Sequence, residues 1–386
     1  MKSFLVLDVG TTGVKGFVFD ENLKLLVKSY YRLHKRFPKK GWVEQNPKEL
    51  LGKSILALKR VVKESGVSSK SLISFGITNQ RETTILWNKK TGKPIYPAIV
   101  WEDTRTAAKT KEWGKKYNSL VRKKTGLPVD PYFSATKIAW ILENVPKAKL
   151  LLEENKVLFG TVDTWILWNL SKEKSHITDY TNASRTLLFN IQKLTWDKHL
   201  LNIFKVPKKI LPKVQPSGSL FGHLNSKVLG ISLPIKAICG DQQASMYAAG
   251  VKPYTTKITY GTGTFIMQII GSKFKQRKSF FTTLAPTASK PVYALEDKTD
   301  CCGNKVDKLL KKKLSLVPII STLSKMVASK IKKLPYKPKK LIVDGGLTQA
   351  PALVSIQSKA ADIPVFRQSI HDGTGLGVAK LLKSLN

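Results

Sequence analysis

Three short turns built from glycine, threonine and aspartate mark where this chain could hold phosphate. The first, "DVGTTGVK", offers Asp8, Gly10, Thr11, Thr12 and Lys15. The second, "YGTGTF", offers Gly261, Thr262 and Gly263, and the third, "DGG", covers 344–346. Small residues at a turn let backbone N–H groups approach an anion closely, and threonine hydroxyls add donors. One such turn alone is usually a plain hairpin; three together point to the phosphates of a nucleotide. Asp8, beside the first turn, is the natural partner of a magnesium ion carrying those phosphates. A second chemistry is signalled by "ITNQRETTILW" (77–87), where Asn79, Gln80, Arg81 and Glu82 interrupt a β-forming run. A half-buried strand alternates apolar with simple polar residues. Four polar groups in a row, two of them charged, are there to hold something: a ligand, or each other as a structural ion pair.

The elements that must position these groups are legible as periodicities. An apolar strand over 4–7 leads into the first turn, a second strand covers 15–19, a turn follows at 20–22, and a third strand covers 23–31. These make three antiparallel strands. "NPKELLGKSILALKRVVKESG" then reads as a helix with Asn46 as N-cap, Pro47 at its first position and Gly66 as terminator. Leu50, Leu51, Ile55, Leu58, Val61 and Val62 give it one apolar face. A strand over 72–77 follows. The theme returns in "TKITYGTGTFIMQIIG" (256–271), again strand, turn and strand, and at 341–343, a strand that runs through Gly345 and Gly346 into a helix. The repetition argues for a duplicated α/β fold closing on a phosphate ligand. The lysine-rich stretch 305–340, with Val327, Ile331 and Leu334 at helical spacing, is expected to form a surface-exposed helix.

At 386 residues the chain exceeds one comfortable hydrophobic core, so two domains are expected. No run of eighteen apolar residues suggests a transmembrane helix, and "MKSFLVLDVGTTG" turns polar too soon for the core of a signal peptide. Cys301 and Cys302 are adjacent and Cys239 lies far away, which gives neither a disulfide framework nor metal-site spacing; a reducing cytoplasm fits best. The net charge of +40 has two readings, nucleic-acid binding or a lysine-biased composition. Arginine is scarce, nine against fifty-seven lysines spread along nearly the whole chain, and sequence-reading proteins favour arginine. No RNA-binding aromatic motif accompanies the charge. Composition is therefore the preferred account, with no specific nucleic-acid partner, although nonspecific attraction to polyanions remains expected.

Several ordered blocks resemble the FGGY family of carbohydrate kinases, in particular its glycerol-kinase branch. They are "GWVEQNP" (41–47), "GITNQRETTILWNKKTGKPIYPAIVW" (76–101), "TGLPVDPYFSATKIAWILENV" (125–145), "GTVDTWILWNL" (160–170), "TDYTNASRTLLFNI" (178–191) and "GDQQAS" (240–245). "YFSATKIAWILEN" is similar to the first of the family's two signature patterns, and "NQRE" with "DPYFS" separates that branch from the pentulose kinases. The similarity reaches position 296 and resumes from about 318 to 382.

The resemblance implies an α/β fold of two actin-like, ribonuclease-H-like domains with a cleft between them, here 1–240 and 241–386. It implies transfer of phosphate from ATP, with Mg2+, to glycerol, and a cytoplasmic protein with neither membrane insertion nor excluded self-association. By the same match Arg81 and Glu82 hold the polyol hydroxyls. A donor-only arginine beside an acceptor-only glutamate suits a ligand made of hydroxyls, and each charge is expected to compensate the other. Trp101 and Phe265 would wall the carbon skeleton, unless they are ordinary core, and Tyr132 and Gln242 would add hydrogen bonds. Asp241, after an apolar strand ending in Gly240, would accept the hydroxyl proton and share the metal with Asp8; it could also cap the helix that follows. Thr11, Thr12, Lys15, Gly261, Thr262, Gly303, Gly345 and Gly346 would contact the nucleotide.

The pattern breaks in three places. Between 296 and 344 the chain is much shorter than the family norm, and the second signature is missing around 315–318. Where the family carries an asparagine for the adenine, Ala350 stands, followed by Pro351. The chain stops at Asn386, soon after "GTGLGVAKLL", without the family's usual tail. The polyol side is thus expected to be intact and the nucleotide side reduced. The readings left open are a minimal ATP-dependent glycerol kinase, a kinase for a related polyol or sugar, a degenerate non-catalytic homologue, and, on charge alone, a nucleic-acid-binding protein.

Overall fold

The computed structural model describes residues 2–261, 263–299, 315–370 and 372–386, so Thr262 and Gly303 lie outside the described residues. The chain forms two compact units, one of residues 1–241 with 286–289 and 378–386, the other of 242–285 with 290–377.

In the first unit, β1 (Ser3–Val9), β2 (Gly13–Asp20) and β3 (Leu25–Arg32) pair antiparallel in sequence. β4 (Leu72–Asn79) and β5 (Ile235–Gly240) add in parallel on the far side of β1, giving the order β5-β4-β1-β2-β3. β1 is buried along its whole length, as a strand covered on both faces must be. One face carries Leu5, Leu7, Val9, Val14, Val18, Phe75, Ile77 and Ile238 into a common core with Leu50, Leu58 and Val61 of α1 (Pro47–Glu64). The helix starts where its residues demand: Asn46 Oδ1 accepts from Lys48 N at 3.0 Å, with Pro47 in the first turn. Fully burying each such side chain is worth about 1.5–3 kcal/mol. On the opposite face the helix Gly373–Ser384 comes so close to β4 that a Cβ at Gly76 would lie 2.4 Å from Val378. Only glycine fits there.

In the second unit, α2 (Asp241–Ala249) leads to a hairpin of β6 (Thr256–Tyr260) and β7 (Thr264–Gly271) around the second glycine turn. β8 (Phe281–Ala285) and β9 (Val292–Thr299) follow, then α3 (Val317–Ile331), β10 (Leu341–Asp344), α4 (Ala352–Ala361), β11 (Val365–Arg367) and α5 (Gly373–Ser384). The sheet order is β8-β9-β7-β6-β10-β11, with β10 and β11 parallel to β6. Leaving out β8, β6, β7, β9, β10 and β11 take the places and directions of β1, β2, β3, β4 and β5. The repeated strand and turn pattern is therefore a repeated topology, that of a ribonuclease-H-like α/β core.

One expectation is corrected and one is refined. The third strand begins at Leu25, because Leu23 has φ +66° and donates its N–H to Asp20 O at 3.0 Å, which makes it part of the turn. Within the described part of the lysine-rich stretch, 315–340, the expected helix α3 is exposed on one face only, since it packs on α4 and buries Ile320, Leu323, Val327 and Ile331. Among the described residues no helix is long and apolar enough to cross a membrane.

Candidate active site

Asp8 stands in a row that crosses the whole first sheet: Tyr30, Lys15, Asp8, Thr78 and Cys239 are register partners on successive strands. Lys15 and Asp8 face each other across an antiparallel pair, where Cβ atoms sit about 5 Å apart. Asp8 is buried, Lys15 half-buried and Thr12 exposed. The turn between the strands is closed by Gly10 N–H donating to Gly13 O at 3.0 Å. Thr11 is fixed on both sides, its carbonyl accepting from Gln45 Nε2 at 2.8 Å and its hydroxyl from Trp101 Nε1 at 2.9 Å.

The polar run after β4 falls between two strands, β4 and Ile85–Asn88, and residues 80–84 are all buried. Gln80 is held by Gln45, Gly10 and Thr83. Glu82 adopts φ +62°, a left-handed conformation that costs an L side chain about 1–2 kcal/mol. The surroundings enforce it: the Glu82 carbonyl accepts from the hydroxyls of Ser134 at 2.9 Å and Thr84 at 3.1 Å. The reversed backbone sends the side chains of Arg81 and Glu82 to different partners. Arg81 Nε is 4.0 Å from Glu82 Oε1 but 3.4 Å from Asp241 Oδ1, while Glu82 Oε1 accepts from Arg185 Nε at 2.6 Å. The expected partial compensation of Arg81 and Glu82 is present at 4.0 Å, with Arg185 the closer cation to Glu82.

Arg185, which sequence reasoning did not single out, is fully buried and lies over the rings of Tyr132 (5.7 Å) and Phe133 (5.2 Å). Tyr132 in turn meets Trp101 edge-on, with ring centroids 5.5 Å apart. The loop bearing Tyr132 is fixed from beneath by Lys137, which donates to the carbonyls of Pro131 and Tyr132; burial pulls its ammonium down to about 8. A lone arginine among the small and apolar residues of "TNASRTLLFN" was the available signal for Arg185.

Asp241 opens α2 directly after β5, with its side chain 25% exposed. The backbone before it is pinned: Gly240 N–H donates to the Thr181 hydroxyl at 2.9 Å, which itself donates to Asp179. Asp179 also accepts from Ser217 at 2.6 Å, and burial pushes its carboxyl up. Burial, then the carboxylates of Asp179, Asp241 and Asp8, raise the Cys239 thiol well above its usual range. Asp8 lies in the same register row as Cys239, one strand removed, and Asp241 follows Cys239 by two residues. Magnesium is held by one or two carboxylates together with phosphate oxygens, and this pair of hard donors fits that demand. Among the described residues no group of three or more His, Cys, Asp or Glu forms an all-protein metal cage.

The first unit thus brings together Asp8, Thr11, Thr12, Lys15, Arg81, Glu82, Trp101, Tyr132 and Asp241. In the second unit Gln242 is buried as the second residue of α2, and Phe265 is buried on β7 opposite Thr259. Gly261 N–H donates to Gly263 O at 3.1 Å, a tight turn. Gly345, with φ +95°, rests on this hairpin, since a Cβ there would lie 2.4 Å from Tyr260 O. Gly346 is exposed, with nothing within 4 Å of where a Cβ would be.

Residues 3–248 match the N-terminal domain of the FGGY family of carbohydrate kinases, and the chain belongs to that family. It is similar to glycerol kinase from Mycoplasma genitalium, 46% identical over 310 residues that are 78% of this chain and 61% of that protein. It is also similar to glycerol kinase 2 from Thermotoga maritima, 44% identical over 300 residues, 77% of this chain and 60% of that protein. Its fold is similar to that in the crystal structure of Plasmodium falciparum glycerol kinase with ADP (TM-score 0.91, 28% identity, 100% of this chain and 90% of that one). A ligand-bound xylulose kinase from Lactobacillus acidophilus shares the fold at TM-score 0.87, with 18% identity over 100% of this chain and 89% of that one. The chain spans about three fifths of the length of the curated relatives it matches.

Proposed function

We propose that this chain phosphorylates glycerol, taking the γ-phosphoryl group of ATP and giving glycerol 3-phosphate and ADP. The observation that carries the reading is the gathering of buried Arg81 and Glu82 with the partly exposed Asp241, Arg81 Nε lying 3.4 Å from Asp241 Oδ1, in a carbohydrate-kinase family member. Glycerol offers only hydroxyls, and a donor-only guanidinium with an acceptor-only carboxylate can bond several of them at once. Trp101 and Tyr132 supply an aromatic edge for the carbon skeleton and a phenol for a hydroxyl. Gln242 and Phe265 are proposed to complete the polyol contacts on the strength of the sequence resemblance alone. Asp241 accepts the proton of the hydroxyl whose oxygen attacks the γ-phosphorus in line; the bond to the β-phosphate oxygen breaks and ADP leaves. Thr11, Thr12, Lys15, Gly261, Gly345 and Gly346 are proposed to hold the phosphates on the strength of the glycine turns and the sequence resemblance alone. Asp8 and Asp241 would hold a magnesium ion, which would supply charge neutralisation to the transferring phosphoryl group.

The test is ADP release with ATP, magnesium and a panel of polyols and sugars. Turnover confined to glycerol supports the reading; turnover with another polyol reassigns the substrate. A second reading, a polyol-binding member without turnover, is favoured by Ala350, which stands where the resemblance expects an asparagine for the adenine. Glycerol binding without ADP release selects it.

A further inference from the structure

We infer that Lys257 is a positioning residue that sets the spacing of the glycine turns in the second unit, an inference that rests on the kinase reading above. Lysine side chains normally keep their ammonium in water, yet that of Lys257 is 1% exposed. Its Nζ donates to the hydroxyls of Ser245 and Thr259 and lies 2.7 Å from Asp344 Oδ1, an ion contact rather than an aligned hydrogen bond. The Ser245 hydroxyl donates to Asp344 Oδ2, which closes a ring of buried polar groups.

These groups come from three elements: β6 supplies Lys257 and Thr259, β10 ends in Asp344, and α2 carries Ser245. α5 begins against them, since a Cβ at Gly373 would lie 2.2 Å from Asp344 Oδ2 and 2.8 Å from Ser245 Oγ. Each element runs directly into a part of the proposed machinery. β6 enters the turn at Gly261, and β10 enters the turn at Gly345 and Gly346. Ser245 stands one helical turn from Asp241 on the same face of α2. Thr259 is the register partner of both Phe265 and Asp344.

A buried ion pair contributes little net stability, because desolvation offsets the attraction, and apolar residues of similar volume often replace it without loss of the fold. What the pair supplies here is geometry: an ammonium with these three acceptors tolerates one arrangement of β6, β10 and α2, whereas apolar side chains tolerate several. A shift of Asp344 moves Gly345, its neighbour in the chain. Lys257 touches neither the phosphates nor the polyol in this account; it acts through the turns it fixes.

The experiment compares the full chain with Lys257→Met and with the double variant Lys257→Met, Asp344→Leu. The double variant guards against misfolding of the single one, in which Asp344 is left buried and unpaired. Amide hydrogen exchange without ligand is read over 241–249, 256–261 and 341–349, together with KM for ATP and for glycerol. The double variant is expected to unfold cooperatively and to exchange roughly tenfold faster over 341–349. Its KM for ATP is expected to rise roughly tenfold, with that for glycerol within about threefold. Unchanged exchange overturns the inference, and so does faster exchange with an unchanged KM for ATP, which leaves Lys257 a structural residue only. A double variant that cannot fold overturns it as well. If the wild-type chain turns over no polyol, the kinase reading has failed instead; the exchange comparison and the calorimetric affinity for MgATP then decide on Lys257 by the same criteria.

Discussion

Arg81 Nε lies 3.4 Å from Asp241 Oδ1, joining the polar run after β4 to the first residue of α2. The two side chains differ in exposure, 2% for Arg81 and 25% for Asp241. One side of the carboxylate thus meets a buried cation, while a quarter of the side chain is exposed. Such a group can be oriented by the protein and still meet a ligand.

Asp241→Asn is expected to abolish turnover while leaving glycerol binding largely in place. Asparagine keeps the shape and can bond a hydroxyl, but it cannot accept the proton, and a positioned base contributes typically 10²–10⁴-fold in rate. Steady-state turnover and calorimetric titration with glycerol check this. An asparagine variant with near wild-type turnover removes Asp241 from the role of base.

Arg81→Ala is expected to raise KM for glycerol far more than KM for ATP. Losing a charge-assisted donor to a hydroxyl costs on the order of 1.5–3 kcal/mol, about ten- to a hundredfold in affinity. An equal rise for both substrates would mean that Arg81 serves mainly to hold Asp241 and its helix.

Arg185→Met is expected to be among the most destabilising single changes in the first unit. It removes the closer of two cations from the buried Glu82 carboxylate, whose hydrogen bond to Arg185 Nε is 2.6 Å long and which Arg81 Nε approaches only to 4.0 Å. Breaking one side of a buried pair typically costs about 3–5 kcal/mol, whereas removing both charges restores much of the loss. Denaturant unfolding of Arg185→Met, Glu82→Leu and the double variant measures the coupling. Additive losses would show that the pair does not act as a unit.

Stability is expected to fall on acidification partly through His176. Its ring sits edge-on to Trp87 and Trp168, its Nε2 is 2.8 Å from Phe159 O, and burial pulls the imidazole down from 6.5 to about 4. The unfolded chain therefore binds the proton first, so the contribution is complete above pH 6.5 and is lost as pH falls towards 4. At pH 5 the loss is about 2 kcal/mol. Asp163, which burial raises to about 6, acts in the opposite direction, with stability falling as pH rises towards 6. It is common to both proteins, so the difference between wild type and His176→Gln isolates the imidazole. Parallel stability curves at pH 7 and pH 5 would refute the assignment.

The glycine turns, the apolar strands and the cap of α1 were legible because each is a local signal, carried by residue type and spacing. The pairing of Glu82 with Arg185 was not, because it joins side chains far apart in the chain through tertiary packing. Nor does the residue type at position 82 announce a left-handed backbone, which is imposed by Ser134 and Thr84. Nothing in the type or spacing of Lys257 in "TKITY" marks it as buried. It is buried because β6 lies between β7 and β10 and because Asp344 and Ser245 arrive from elsewhere to receive its charge.

The nucleotide side carries the last prediction, weak and poorly selective binding of nucleoside triphosphates. Phosphate contacts are expected to persist, because Thr11, Thr12, Lys15, Gly345 and Gly346 are all present. Position 350, where the family's asparagine would reach the adenine, is an alanine whose carbonyl accepts from Arg367 at 3.0 Å. That position thus offers no amide side chain for the base. Charged phosphates give most of the binding through charge-assisted hydrogen bonds, whereas selectivity comes from buried polar groups matched to the base. The chain is therefore expected to bind ATP, GTP and CTP with affinities within about tenfold of one another, since that ratio corresponds to about 1.4 kcal/mol, on the order of one neutral hydrogen bond. Calorimetric titration with each nucleotide, in the presence of magnesium and glycerol, gives the three constants. Tight binding of ATP with exclusion of GTP and CTP would mean that residues other than Ala350 have rebuilt the base contact.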